Sequence, residues 1–367
     1  MEPIKKEDRF LLLCARTQMQ PGQLDLAAFL AKDGLNWNYL FSKAKANSVT
    51  ALIYKNLLKL GIDLPETILE NFKNRYIIQR LANERRWRDL AEVLKALNLQ
   101  KISALVHKGA ALGENIYGDI AFRPMSDMDI LVKQKDWPKI REILDKLEYS
   151  LLENPALSIL PKEYHIPCLS KRRTGIEFKF NFYWLDIPEF NPQSVWEDAL
   201  PAEINGEKTL VPSPEDHLLI LSLGLLRHRY TGLIWFCDIH ECIRHYQGRI
   251  DWEKLIKKAK VKGVSAFLYY GLFLTDKMLG IQTPPSILKR LRPNLLRRRL
   301  FAHFHLLDNI VSLNNCTEKK RSTPKSHLLQ LFLIGKIGLN LKIMLKSLLY
   351  FLQLALQSKK STKRQPA

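Results

Sequence analysis

The chain has 367 residues, 46% hydrophobic and 26% charged, and its 57 Lys and Arg against 37 Asp and Glu give a formal net charge of +20. That length and balance suit two or three domains with a substantial core, and they exclude a wholly disordered or collagen-like chain. The charge is unevenly placed: residues 1–250 hold 34 basic and 32 acidic side chains, residues 251–367 hold 23 and 5.

In chain order, residues 24–97 show apolar positions at helical spacing, for example Leu69, Phe72, Tyr76, Ile77 and Leu81. Pro65 fits the start of the last helix of that region. The pattern then shortens. Residues 101–107 and 128–133 are apolar, β-branched runs that predict strands, with a short helix over 109–117 and a loop over 118–126 between them. Residues 137–147 repeat apolar positions three and four apart and predict an amphipathic helix. Residues 164–170 and 176–184, joined by a turn-like KRRTG, predict a hairpin or adjacent strand pair.

From Ser213 onward the chain reads as helical again, over 214–230, 233–246, 252–260, 264–279 and 286–307. Ser213 supplies a capping side chain, followed by Pro214 and two acidic residues. The expected fold class is α+β: a small core at about 99–205 between an N-terminal helical region (1–98) and a helical domain (206–311), with basic amphipathic helices and a tail over 312–367.

The residues that carry chemistry lie at Ser126-Asp127-Met128-Asp129-Ile130. On a strand, period two puts Asp127 and Asp129 on one face and Met128 and Ile130 on the other. Two adjacent carboxylates call for a compensating cation, and Mg2+ or Mn2+ suits oxygen donors completed by water and phosphate. On the later strand Glu177, Lys179 and Asn181 share a face, so Glu177 is a candidate third carboxylate. Three carboxylates from two strands suit a two-metal site, where one ion activates a hydroxyl and the other steadies a leaving phosphate. Upstream, Lys108-Gly109 closes a strand where backbone can approach phosphate, and Arg123 is a second candidate clamp. Lys179 has the plainer alternative of pairing with a carboxylate on its own face. An EF-hand is excluded because Leu131 and Val132 occupy the fifth and sixth loop positions. A D-x-D glycosyltransferase would show alternating strands and helices before the motif, where this chain is helical.

The run Lys108-Gly109-Ala110, Tyr117, Arg123 and Asp127-Met128-Asp129-Ile130-Leu131-Val132 resembles the uncharacterised bacterial nucleotidyltransferase family of the DNA polymerase beta-like superfamily. Glu148-Tyr149, Ile176-Glu177-Phe178-Lys179 and the segment from Leu225-Leu226-Arg227-His228 to Asp238 extend the resemblance over roughly residues 25–280. It implies a small mixed sheet and metal-dependent transfer of a nucleoside monophosphate from an NTP, such as ATP, to an acceptor hydroxyl. Asp127, Asp129 and Glu177 are then the catalytic and metal-binding carboxylates. Lys108, Gly109, Arg123 and Lys179 are the nucleotide-binding group. Two departures stand out: Gly109-Ala110 replaces a Gly-Ser pair, and Lys179 replaces a histidine. The acceptor expected is a small molecule or a carrier. The alternatives are a catalytically silent scaffold of the same fold that binds membrane or nucleic acid, and a D-x-D glycosyltransferase.

Other features are weaker. Cys14, Cys168, Cys237, Cys242 and Cys316 are odd in number and scattered, which does not read as a disulfide framework. Residues 1–16 are too short and polar in pattern for a signal peptide, so a cytoplasmic protein is expected. Cys237, His240, Cys242 and His245 fit no standard zinc spacing. For His228 and Asp238 the favoured reading is a hydrogen bond that locks two packed helices. Residues 331–352 are apolar but interrupted by Lys336, Lys342 and Lys346, which costs about 7–10 kcal/mol near a bilayer centre against an apolar gain of about 6. Peripheral contact with an anionic membrane through 322–357 is therefore expected, ahead of nucleic acid.

Overall fold

The computed structural model describes residues 4–152, 165–170, 174–181, 192–228, 230–281 and 283–303. Five helices come first: α1 (Lys6–Cys14), α2 (Pro21–Lys32), α3 (Trp37–Ala46), α4 (Thr50–Leu60) and α5 (Glu66–Leu99). The sheet region follows with β1 (Leu105–His107), α6 (Gly109–Asn115), β2 (Asp127–Leu131), α7 (Trp137–Lys146), β3 (Tyr149–Leu151), β4 (His165–Ser170), β5 (Gly175–Lys179), α8 (Gln193–Glu197), β6 (Leu200–Ile204) and β7 (Glu207–Val211). The chain continues as α9 (Pro214–Arg227), α10 (Leu233–His245), α11 (Trp252–Val261), α12 (Ser265–Leu279), α13 (Pro285–Leu291) and α14 (Leu295–His303).

The seven strands form one mixed sheet in the order β3-β4-β5-β2-β1-β7-β6. β2 runs antiparallel to β1 and parallel to β5, and β7 runs parallel to β1. This is the α+β architecture expected from the sequence, with helices flanking a sheet. β4 and β5 pair antiparallel, as predicted, and Phe182, Tyr183 and Trp184 of the predicted run lie outside the described residues.

Alternation decides which face of the sheet is apolar. Val106, Met128, Ile130, Ile176 and Phe178 point to one side and pack with Leu90, Val93, Leu94 and Leu97 of α5 and with Ile140, Ile143 and Leu144 of α7. α5 is long enough to serve two cores. Its first turns place Ile68 and Phe72 in the helical core, and its last turns lie on the sheet. Gly113 of α6 brings the sheet region against α5, because a Cβ there would stand 2.8 Å from the Trp87 ring.

The two helical regions are one body. Phe10, Leu52 and Phe72 share a single buried cluster with Phe236, Phe267 and Phe301. Polar ties run the same way: Thr17 donates to the Glu241 carboxylate from both its backbone N–H and its hydroxyl, and Leu233 N–H donates to Asn47 Oδ1. Cys237 Sγ–H donates to Ala15 O, and the four described cysteines are free and buried.

Two elements differ from expectation. The single helix expected over 286–307 is two, because Pro293 lacks an N–H and holds Arg292 in an extended conformation (ψ 123°). The β6–β7 hairpin was not predicted; Asn205 (φ 48°) and Gly206 (φ 82°) make its turn, and it carries the core sheet to Val211, beyond residue 205. Among the described residues no helix is long and apolar enough to cross a membrane. The apolar run over 331–352, the basic region over 312–367 and Cys316 lie outside the described residues.

Candidate active site

The ladder register builds the site. His107 on β1 is the partner of Asp129 on β2, and Asp129 is the partner of Glu177 on β5, so the three form a row across adjacent strands. They occupy the face opposite the large apolar core, because their neighbours Val106, Met128, Ile130, Ile176 and Phe178 belong to that core. Asp127 lies on the same face, two residues before Asp129, at the exposed start of β2 and opposite Gly175. Ser126 Oγ donates to Asp127 Oδ1 at 2.9 Å.

Two lysines close on Asp129. Lys108 Nζ stands 3.1 Å from Asp129 Oδ1, and Lys179 Nζ is ion-paired with the same oxygen. Lys179 Nζ also stands 3.0 Å from Glu177 Oε2, so it bridges two carboxylates. Burial pushes the Asp129 carboxyl up, but Lys108 and Lys179 overcome this and hold it well below the usual carboxylate range. Burial brings Lys108 down to about 8; Asp129 opposes that shift and Lys179 adds to it. For Lys179, burial works downward, yet Asp129 and Glu177 carry the net shift upward. His107 is fully buried, and burial keeps its imidazole well below its ordinary pKa.

Lys108 adopts φ 55°, ψ −133°, a conformation unusual for a residue with a Cβ. It occupies the strand-to-helix corner between β1 and α6, which turns its ammonium back toward β2. Gly109 follows, and a Cβ there would come within 3.2 Å of Met125.

Arg123 is placed elsewhere. Expected as a phosphate clamp, it is 3% exposed, and its Nε donates to Asp238 Oδ1 of α10 at 2.6 Å. The guanidinium is thus committed to a buried carboxylate. Tyr117 OH donates to the same oxygen at 2.9 Å. Burial pushes the Asp238 carboxyl up, and Arg123 pulls it part of the way back. His228 does not bond Asp238 as expected; it stacks on Trp235, with centroids 3.9 Å apart and planes at 8°. The Arg123 guanidinium carbon is itself 4.7 Å from the Trp235 ring centroid.

A family model described as uncharacterised nucleotidyltransferase matches residues 33–280. The chain belongs to that family. It is therefore an enzyme of the nucleotidyltransferase type. No curated protein matches it. Among solved structures, the antibiotic-resistance factor ANT(2'')-Ia is similar at 14% identity over 61% of this chain and 97% of that one, with a TM-score of 0.33.

Two cations of this nucleotidyltransferase escaped the sequence reading. Arg86 on α5 donates from Nη1 to Asn83 Oδ1 at 3.2 Å and lies within electrostatic range of Asp127. Arg227 is exposed at the end of α9 and within electrostatic range of Lys108 and Lys179. It also faces His228, where burial, Arg227 and Lys108 bring the imidazole down to about 4. The Arg85-Arg86 pair and the Arg227-His228 helix end were visible signals, but only the fold brings them to β2. Among the described residues no three His, Cys, Asp or Glu side chains are placed to share a metal ion, and this includes the group from Cys237 to His245.

Proposed function

We propose that the protein uses a polymerase beta-like core to transfer a nucleoside monophosphate from a nucleoside triphosphate to an acceptor hydroxyl, with release of pyrophosphate. The supporting observation is the row that sets Asp129 beside Glu177, with Asp127 on the same face and Lys108 against Asp129. The acceptor oxygen forms a bond to the α-phosphorus. The bond from that phosphorus to the β-bridging oxygen breaks, and its electron pair leaves with pyrophosphate. The acceptor proton passes to Glu177, whose Oε2 is held by Lys179 and whose Oε1 serves as the base.

Lys108, with a quarter of its side chain exposed, meets the phosphates, and Arg86 and Arg227 add positive charge nearby. Gly109 lets the Lys108 corner sit close against Met125. Asp127 and Asp129 are oxygen donors suited to Mg2+ or Mn2+, which takes one or two carboxylates together with substrate phosphate and water. Bound there, such an ion would neutralise phosphate charge and polarise the reacting phosphoryl group. In this reading Arg123 positions the segment that leads into Asp127. The acceptor is a small molecule or carrier, met in the cytoplasm or at a membrane surface.

The test incubates purified protein with nucleoside triphosphates labelled at the α-phosphate, Mg2+ or Mn2+, and a cell extract. Label should pass to an acceptor, and Asp127→Asn with Asp129→Asn should reduce transfer by ~100-fold or more. Transfer that survives the double substitution would overturn the assignment.

A further inference from the structure

Three carboxylates on two strands suggest two metal ions, but Lys179 alters that count. It lies two residues after Glu177 on the same face of β5, and Glu177 is the ladder partner of Asp129. Its ammonium therefore occupies the space between the two carboxylates and contacts both. Only 9% of the side chain is exposed, so the contact is held by packing around the stem as well as by charge. An ion shared by Asp129 and Glu177 would have to take the position of this Nζ.

Charge balance leads to the same place. Asp127, Asp129 and Glu177 set against Lys108 and Lys179 leave one negative charge, and Arg86 and Arg227 add positive charge nearby. A second divalent ion would add two more positive charges to a row that already holds two lysines and has two arginines within electrostatic range. Both lysines bond Oδ1 of Asp129 and Lys179 holds Oε2 of Glu177, which leaves Asp129 Oδ2, the exposed Asp127 and Glu177 Oε1 not engaged by a lysine. Oε1 is the base of the reaction, and the other two are the donors for an ion.

We propose that Lys179 is a built-in cation that replaces a second divalent ion, so that the site takes one ion, at Asp127 and Asp129. The catalytic meaning of this replacement rests on the nucleotidyl-transfer reading, but the ion count does not. Lys179 acts as a positioning residue: it fixes Glu177 Oε2 and keeps the carboxylate aligned with Asp129. A lysine supplies this charge at any metal concentration, so Glu177 stays oriented before an ion arrives.

The experiment counts Mn2+ bound to the full-length protein by electron paramagnetic resonance. It is run first without nucleotide and then with each of the four α,β-methylene nucleoside triphosphates. The wild type should bind one Mn2+ in both conditions. Asp127→Asn should lose that ion, and Glu177→Gln should keep it. Lys179→Met and Lys179→His, checked for folding by circular dichroism, should each bind a second Mn2+ with affinity within ~10-fold of the first. Zero or two ions on the wild type would overturn the proposal. So would loss of the ion in Glu177→Gln, its retention in Asp127→Asn, or a count that stays at one in folded Lys179 variants. The counts on the wild type, Asp127→Asn and Glu177→Gln decide the matter even if both Lys179 variants fail to fold. If these counts hold while none of the four analogues binds, the nucleotidyl-transfer reading falls and the ion count stands.

Discussion

His217 offers a stability test whose size follows from its surroundings. It sits in the first turn of α9, 1% exposed, with neither ring nitrogen hydrogen-bonded, and its ring stacks on Tyr246 at a centroid distance of 6.3 Å. Burial, with a smaller contribution from His245, lowers its pKa from 6.5 to about 3. The unfolded chain therefore takes up a proton near pH 6.5 that the folded chain refuses until about pH 3. Stabilisation from this residue is complete above pH 6.5 and is lost progressively as pH falls toward 3. Each pH unit in that window costs about 1.4 kcal/mol, so moving from pH 6.5 to pH 5.0 costs about 2 kcal/mol from His217 alone.

Leucine has a similar size and does not titrate. His217→Leu should match the wild type at pH 7.5 or exceed it by about 1–2 kcal/mol, because two unpartnered buried nitrogens are removed. At pH 5.0 its advantage should grow by a further ~2 kcal/mol. Urea unfolding followed by circular dichroism at both pH values measures this double difference. His228 is lowered in both proteins and cancels in the comparison, and His107, on which His217 acts only as a minor cause, keeps in both the burial that mainly lowers it. An advantage that changes by less than about 0.5 kcal/mol between the two pH values would refute a buried, neutral His217.

Two further outcomes concern the Arg123–Asp238 pair and the Lys108 corner. Asp238→Asn leaves Arg123 buried without its counter-charge and should cost about 3–5 kcal/mol in urea unfolding, against about 1.5–3 for Tyr117→Phe, which removes a hydrogen bond only. Equal losses would show that the ion pair adds nothing beyond that bond. Lys108→Gly and Lys108→Ala both remove the ammonium, but only glycine relaxes at φ 55°, ψ −133°. The glycine variant should be the more stable by about 1–2 kcal/mol while both bind nucleotide at least ~10-fold more weakly. Equal stability of the two would reject strain at this corner.

The strands that carry Asp129 and Glu177 were readable because period two is strict: once 127–131 and 175–179 are strands, each carboxylate is assigned to a face. Their register was not readable, since no local signal says that Asp129 lies opposite Glu177 rather than opposite Gly175. The engagement of Arg123 was hidden for a related reason. Its partner Asp238 is 115 residues away on a helix that only tertiary packing brings near. The β6–β7 turn differs, because Asn205-Gly206 is a strong local hairpin signal, and its positive φ angles follow directly from those two residue types. Likewise Pro293 already marked the break between α13 and α14. The union of the two helical regions could not be seen locally, because each shows only an apolar stripe and the stripe does not name its partner.

That union bears on how the site is held. Asp127 follows a loop that the helical body grips at several points. Tyr76 OH donates to Asp119, Asn83 donates to the carbonyls of Ile120 and Arg123, and Tyr117 and Arg123 both donate to Asp238. Met128 and Ile130, by contrast, are fixed by the sheet core. Asp129 lies between these core residues and is positioned by the sheet, whereas Asp127 at the strand's exposed start depends on the loop. α10 therefore contacts the segment that leads into Asp127, whereas the neighbours of Asp129 are held by the sheet core. The N-terminal helices, which come first in the chain and carry none of the three carboxylates, help to set where the first of them stands.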